Sequence, residues 1–231
     1  MKVWELSVKV YLKKDIGIEE RSKALSHLVT KTICSSEEFV SYHKGKDYKQ
    51  YNFDFFYPIE KDVYKKGNTY SFRIRTISKE LKNHINNNIL DIDTAEMTVL
   101  SCSQRLIEKK TLERVFSLTP AVIKTDNGYW RNGVMNVLEY EKRLTDNLIK
   151  KYKFFTGDET IDEDMVLFKN IEINNRKPIA TNYKDITLLG DKITVYPSDD
   201  SIAQDILYMS LGTGLGENNT YGFGFLSYRY L

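Results

Sequence analysis

The sequence predicts an α+β protein built from two ferredoxin-like βαββαβ units in tandem, and three observations lead there. Apolar and polar residues alternate in several short stretches, the pattern of half-buried strands. Two longer stretches repeat apolar residues at helical spacing. The strand-type and helix-type stretches follow one another as β-α-β-β-α-β, and the second half of the chain loosely repeats that order.

Residues 3–12 (VWELSVKVYL) alternate and give the first strand. Residues 18–33 place Ile18, Leu25, Leu28, Val29 and Ile33 near one face of a helix. Residues 50–57 (QYNFDFFY) alternate again and stop at Pro58. Lys66-Gly67-Asn68 signals a turn into a strand over 69–77. Ser78 suits an N-cap for a helix over 79–89, and 95–108 closes the first unit. In the second unit, 112–124 reads as strand around Pro120, and Asp126-Asn127-Gly128 as a turn. The segment 136–152 carries Leu138, Leu144 and Leu148 and reads as helix. Strands follow at 165–173, 177–183 and 186–196, with breaks at Asn174-Asn175 and Gly190-Asp191; the third of them is one more than the repeat needs. A short helix over 200–211 and a strand over 222–230 finish the chain. The two domains are expected at 1–110 and 111–231.

Composition narrows the function classes. With 34 Lys+Arg against 32 Asp+Glu in 231 residues, a histone-like basic chain and an acidic disordered one are excluded. Sixteen Tyr and eleven Phe favour strands and a packed core. Two cysteines, Cys34 and Cys102, make no disulfide framework and point to a reducing, cytoplasmic setting. No run of 18 apolar residues exists, and the first residues lack the apolar core of a signal peptide. The three histidines, His27, His43 and His84, are scattered without metal-ligand spacing, so no metal or cofactor is expected.

The most specific stretch runs from Gly212 to Phe225 and holds five glycines, Gly212, Gly214, Gly216, Gly222 and Gly224. Glycine permits positive φ and close backbone approach, and successive free N–H groups make an anion-binding nest. The stretch is no Walker loop, since no Gly-Lys-Ser/Thr follows, and no dinucleotide fingerprint, since it leads from a helix into a strand. The plainer reading is a tight helix-to-strand connection. From Pro197 onward Asp199, Asp200, Asp205 and Glu217 face Arg229 alone, so cations for phosphate must come from elsewhere.

This loop, G-x-G-x-G-(x)5-G-F-G-F before the last strand, resembles that of the CRISPR-associated repeat-cleaving endoribonucleases, part of the repeat-associated RNA-binding superfamily. Ser117-Leu118-Thr119-Pro120-Ala121-Val122 resembles the opening of that family's second domain. Tyr42-His43 after the first helix and Lys49 before an aromatic strand also fit. The resemblance implies tandem ferredoxin-like domains and metal-independent cleavage of CRISPR repeat RNA. The RNA 2′-hydroxyl attacks the adjacent phosphate and leaves a 2′,3′-cyclic phosphate. It implies RNA contacts along Gly212, Gly214, Gly216, Asn219, Gly222 and Gly224. CRISPR repeat RNA is then the partner, with other effector subunits as further ones. Several members carry a Tyr in the first helix where this chain has Thr30, with Lys31 beside it, so the general base stays open.

Such chemistry needs an acid, a base and cations for the charged transition state. His43 has the best surroundings, a polar run of Lys44, Lys46, Tyr48, Lys49 and Tyr51. The commoner meaning of such a run is a solvated loop. Lys49 suits a phosphorane cation or a strand-edge lysine, and Tyr51 a phosphate contact or a core aromatic. Lys31 lies one turn from His27 and reads as a third contributor. Arg73 and Arg75 alternate along one strand face and suit phosphates. Lys109-Lys110, Lys142-Arg143 and Lys150-Lys151 read as ordinary surface pairs. Two rival readings stand beside the nuclease. One is a catalytically silent RNA-binding subunit, the other a protein-interaction module on the same fold.

Overall fold

A computed structural model describes residues 1–125, 128–183 and 186–231. Asp126 and Asn127 of the expected Asp-Asn-Gly turn lie outside the described residues.

In the N-terminal half, β1 (Val3–Leu12) is followed by a two-residue β2 (Ile16–Gly17), α1 (Arg21–Ile33) and α2 (Glu37–Lys44). Then come β3 (Tyr51–Phe53), a short β4 (Val63–Tyr64), β5 (Thr69–Thr76), α3 (Lys79–Asn88) and β6 (Met97–Ile107). Strand alternation works as expected: Leu6, Val8, Val10 and Leu12 of β1 are buried, while Lys9 and Tyr11 face out. The buried face meets Leu25, Leu28, Val29 and Ile33 of α1 and Leu81 and Ile85 of α3. Ser78 caps α3, its hydroxyl accepting the Leu81 N–H at 3.1 Å. The sheet order β3-β5-β1-β6, antiparallel throughout, is that of a ferredoxin-like unit.

The second half contains β7 (Leu112–Ser117), α4 (Val137–Thr156), β8 (Phe168–Ile173), β9 (Ile179–Tyr183), β10 (Ile186–Gly190), β11 (Ile193–Pro197), α5 (Ser201–Thr213) and β12 (Leu226–Tyr230). Its main sheet runs β12-β7-β11-β8, the same topology again. Asn136 and Glu139 form a capping box at the start of α4.

Four expectations are corrected. His43 lies not in a loop but in the last turn of α2, and the loop of the expected run is confined to residues 45–50. The strand over 50–57 keeps its regular form for three residues only and rejoins β5 where Tyr57 and Ser71 exchange backbone hydrogen bonds. The stretch 186–196 is two strands, so the addition to the repeat is the whole β9–β10 hairpin. The final strand begins at Leu226, leaving Gly222 and Gly224 in the loop. The break inside 186–196 has a clear cause. Asp191 is fully buried and accepts hydrogen bonds from Tyr129, Trp130, Arg131 and Asn175. Its backbone meanwhile exchanges two with Ala121.

The halves share packing. Val3 and Ile107 belong to the C-terminal core, and the Tyr208 hydroxyl accepts from Val3 N and donates to Ile107 O. Arg75 of β5 pairs with Glu5 of β1 at 2.7 Å and donates to the Leu226 carbonyl of β12. Among the described residues no helix is long and apolar enough to cross a membrane.

Candidate nucleic-acid interface

Three regions carry the expected site residues. The first is the end of α2. Helix ends leave carbonyls without partners. Here Lys49 supplies them: its amine donates to Tyr42 O and, at 2.8 Å, to Gly45 O, and it lies 4.8 Å over the Tyr42 ring. The Tyr42 hydroxyl in turn accepts the Gln50 N–H at 2.7 Å. Burial pushes the Tyr42 hydroxyl up to about 12 and the Lys49 amine below its ordinary value. His43 is thereby held on a fixed turn, half-exposed. The turn leans on the other domain, since the Tyr48 ring packs edge-on against Phe154 and Phe155 of α4 at 5.7 and 6.4 Å.

The remaining N-terminal candidates part from His43. Tyr51 is 1% exposed in the core, so it does not touch a phosphate. Lys31 donates to Asp93 O at 2.7 Å, beside the Lys13–Asp93 pair. Arg73 pairs with Asp54 and stays a third exposed. Arg75 is buried against Glu5 and Phe225 and holds the domains together rather than meeting RNA. Burial alone raises the Glu5 carboxyl, but Arg75 and Arg105 outweigh it and hold it below the ordinary value. The other histidines are accounted for. His27 lies 3.6 Å from Glu96, and His84 bonds the last carbonyls of α1 at Thr32 and Ile33, both at 3.0 Å.

The second region is the glycine loop, where the expectation of open N–H groups is corrected at Gly214, Gly222 and Gly224. All five glycines are buried. The Gly214, Gly222 and Gly224 N–H groups donate to Ser210, Asn219 and Pro120 carbonyls. At Gly214, φ is +83° and a Cβ would lie 2.5 Å from Asn219 Nδ2; at Gly224 it would run into the Leu215 carbonyl. The glycines therefore let the loop fold upon itself. Asn219 also points inward, its amide donating to Leu215 O at 3.1 Å and Phe223 O at 3.0 Å. Residues 217–221 are the part of the loop with partial exposure. Beneath them lies Lys151, which is no surface residue: 4% exposed, it donates to Gly214 O at 3.2 Å, Gly216 O at 2.7 Å and Asn219 Oδ1 at 2.7 Å. Burial pushes its amine down to about 7, against the pull of Glu217.

The third region is a cleft of about 780 Å³ between the open face of the N-terminal sheet and the 118–120 segment. Arg21, Arg73 and Lys192 line it against one carboxylate, Asp54. Arg21 lies 4.5 Å over the Phe55 ring. Burial, and then the charge of Arg21, push the Lys192 amine down to about 8. Tyr57 and Ile59, 70% and 78% exposed, stand at its mouth. Cations interleaved with aromatic faces suit a nucleic-acid strand, whose backbone is charged and whose bases stack.

Two ferredoxin-like units, a glycine loop before the last strand and this cationic cleft make one arrangement, and the sequence comparison decides its kin. The profile described as "CRISPR associated protein Cas6, C-terminal" matches residues 103–228. The chain belongs to the Cas6 family. Solved structures agree on the fold. One described as CRISPR associated protein Cas6 is 16% identical, with 98% of this chain and 99% of that chain covered and a TM-score of 0.68. A Cas6-related protein from Pyrococcus furiosus is 18% identical, with 98% of each chain covered and a TM-score of 0.73. A RAMP protein described as binding different RNA substrates is 19% identical, with 98% and 99% covered and a TM-score of 0.73. No curated protein matches the sequence.

The range that matches the Cas6 profile includes the glycine loop and Lys151 and excludes the His43 turn. Sequence reasoning missed Arg21, Lys151 and Lys192. Arg21 opens a helix among other charges, and Lys192 follows a break signal, so neither stands out in the chain. Lys151 had one usable signal: Leu144, Leu148 and Lys151 share a helical face, which places a charge on the buried stripe.

Proposed function

We propose that this Cas6-family chain is an endoribonuclease that cleaves CRISPR repeat RNA, with the RNA 2′-hydroxyl as nucleophile and without a metal. The observation that carries the reading is the His43 turn, where a histidine and a lysine sit on one stapled helix end at the joint between domains. His43 moves a proton as general acid or base. Lys49 exchanges its carbonyl partners for the phosphate and stabilises the charge that develops there. Arg21, Arg73 and Lys192 hold the RNA backbone in the cleft. Lys31 keeps only a peripheral electrostatic role.

A second reading, the silent RNA-binding subunit, is favoured by a specific observation: Lys49 and Lys31 both spend their amines on backbone carbonyls, and Tyr51 is buried. Labelled CRISPR repeat RNA incubated with the protein in EDTA separates the readings. Cleavage ending in a cyclic phosphate, abolished by a 2′-deoxy substitution at the cut, supports the nuclease. A mobility shift alone supports the silent subunit. Neither result leaves the interaction module. Cleavage that needs added Mg²⁺ overturns the metal-independent mechanism.

A further inference from the structure

The buried amine of Lys151 has no part in that chemistry, yet it is placed where the site is assembled. Three acceptors converge on it: two loop carbonyls, Gly214 O and Gly216 O, and the Asn219 side chain. An ammonium has three donors, which matches them one for one. Asn219 passes the constraint on through Phe223 O, which also accepts from Asn52 of β3 at 3.2 Å. One helical turn further along α4, Phe154 and Phe155 support Tyr48 of the His43 turn. One stretch of helix thus fixes the glycine loop with one side chain and the His43 turn with the next.

We propose that Lys151 is a positioning residue for RNA binding: without touching RNA, its ammonium latches the glycine loop so that residues 217–221 and the His43 turn keep one mutual geometry. This rests on the RNA-binding reading above. Removing the amine strands two buried carbonyls and the half-buried Asn219 oxygen, and the loop relaxes to let water reach them.

The test compares wild type, Lys151→Met, Asn219→Ala and the double variant, each scaled to its folded fraction. Equilibrium binding of labelled CRISPR repeat RNA is measured across a salt series at pH 6, where the Lys151 amine carries its third proton. Hydrogen exchange at residues 212–224 is measured without RNA. Lys151→Met is expected to weaken binding about tenfold, the equivalent of one lost charge-assisted hydrogen bond, with an unchanged salt slope. Loop amides lose protection. Asn219→Ala does the same, and the double variant is no worse than the single ones, because both break one latch. A salt slope reduced by about one means that Lys151 meets a phosphate, and overturns the proposal. So does wild-type affinity in folded Lys151→Met, or strict additivity in the double variant. If Lys151→Met does not fold, Asn219→Ala decides: unchanged loop protection and affinity overturn the latch. If wild type binds no repeat RNA, the functional reading falls instead, and hydrogen exchange still reports on the latch.

Discussion

Lys49 and Lys151 do the same chemical thing in two places, each giving its ammonium to two backbone carbonyls. They differ in what surrounds them. Lys49 is half-exposed at the end of an eight-residue helix with no buried residues. Water competes for its partners there, so moving the amine to an incoming phosphate costs little. Lys151 is enclosed, and withdrawing it leaves buried acceptors unsatisfied. On the proposed mechanism the same contact is exchangeable in one domain and structural in the other. Burial, rather than residue type, separates a group that can do chemistry from one that can only hold.

The largest effect that tests this division belongs to the exposed region. His43→Ala is expected to slow single-turnover cleavage by about 10²–10⁴-fold with little change in binding. An inactive His27→Ala beside an active His43→Ala breaks the assignment. Next comes the enclosed region: Gly224→Ala puts a Cβ into the Leu215 carbonyl at φ +65° and should cost about 3 kcal/mol or more, read from the urea midpoint. A folded, fully stable Gly224→Ala shows that the loop is not rigid.

Third is pH. The folded Lys151 amine lies near 7, below its unfolded value, so the folded state binds that proton more weakly. The penalty for burying the charge is full below about 7 and fades as pH rises toward the ordinary lysine range. Wild-type stability should therefore rise with pH relative to Lys151→Met between about 7 and the ordinary lysine range. Urea titrations of both proteins between pH 6 and 9 read this out, and a flat difference contradicts the burial argument. Smallest is Lys49→Ala, expected to lose about tenfold in rate and about one unit of salt slope. An unchanged slope places Lys49 with Lys151 among the holding groups.

Much of the architecture was legible because periodicity reports burial. β1, β5, α3 and α4 each pair a regular apolar pattern with a real core face, and the cap at Ser78 is a side chain doing local chemistry. α2 was not legible because it is short: over eight residues only Phe39 and Tyr42 pack against the core, and they only half-buried, which is too little to set a helical period. Of the candidate site the sequence shows residue types and not their partners. The glycines stand out in the sequence, which cannot show that the amides of Gly214, Gly222 and Gly224 are already spent. Arg73 and Arg75 look equivalent on alternating strand positions, yet one lines a cleft and the other is buried at the joint between sheets. That difference comes from β12, which lies 150 residues further along the chain.

That distance has a consequence during synthesis. The Leu226 carbonyl that Arg75 bonds, and the Tyr208 hydroxyl that receives Val3, leave the ribosome long after β1 and β5. At about 5–20 residues per second the first half waits roughly 8–30 seconds for its closing partners. In that interval the guanidinium of Arg75 has Glu5 but no carbonyl, and Val3 has no core to enter. Until the last strand is made, the N-terminal half therefore has its own core but lacks the partners that close Arg75 and Val3.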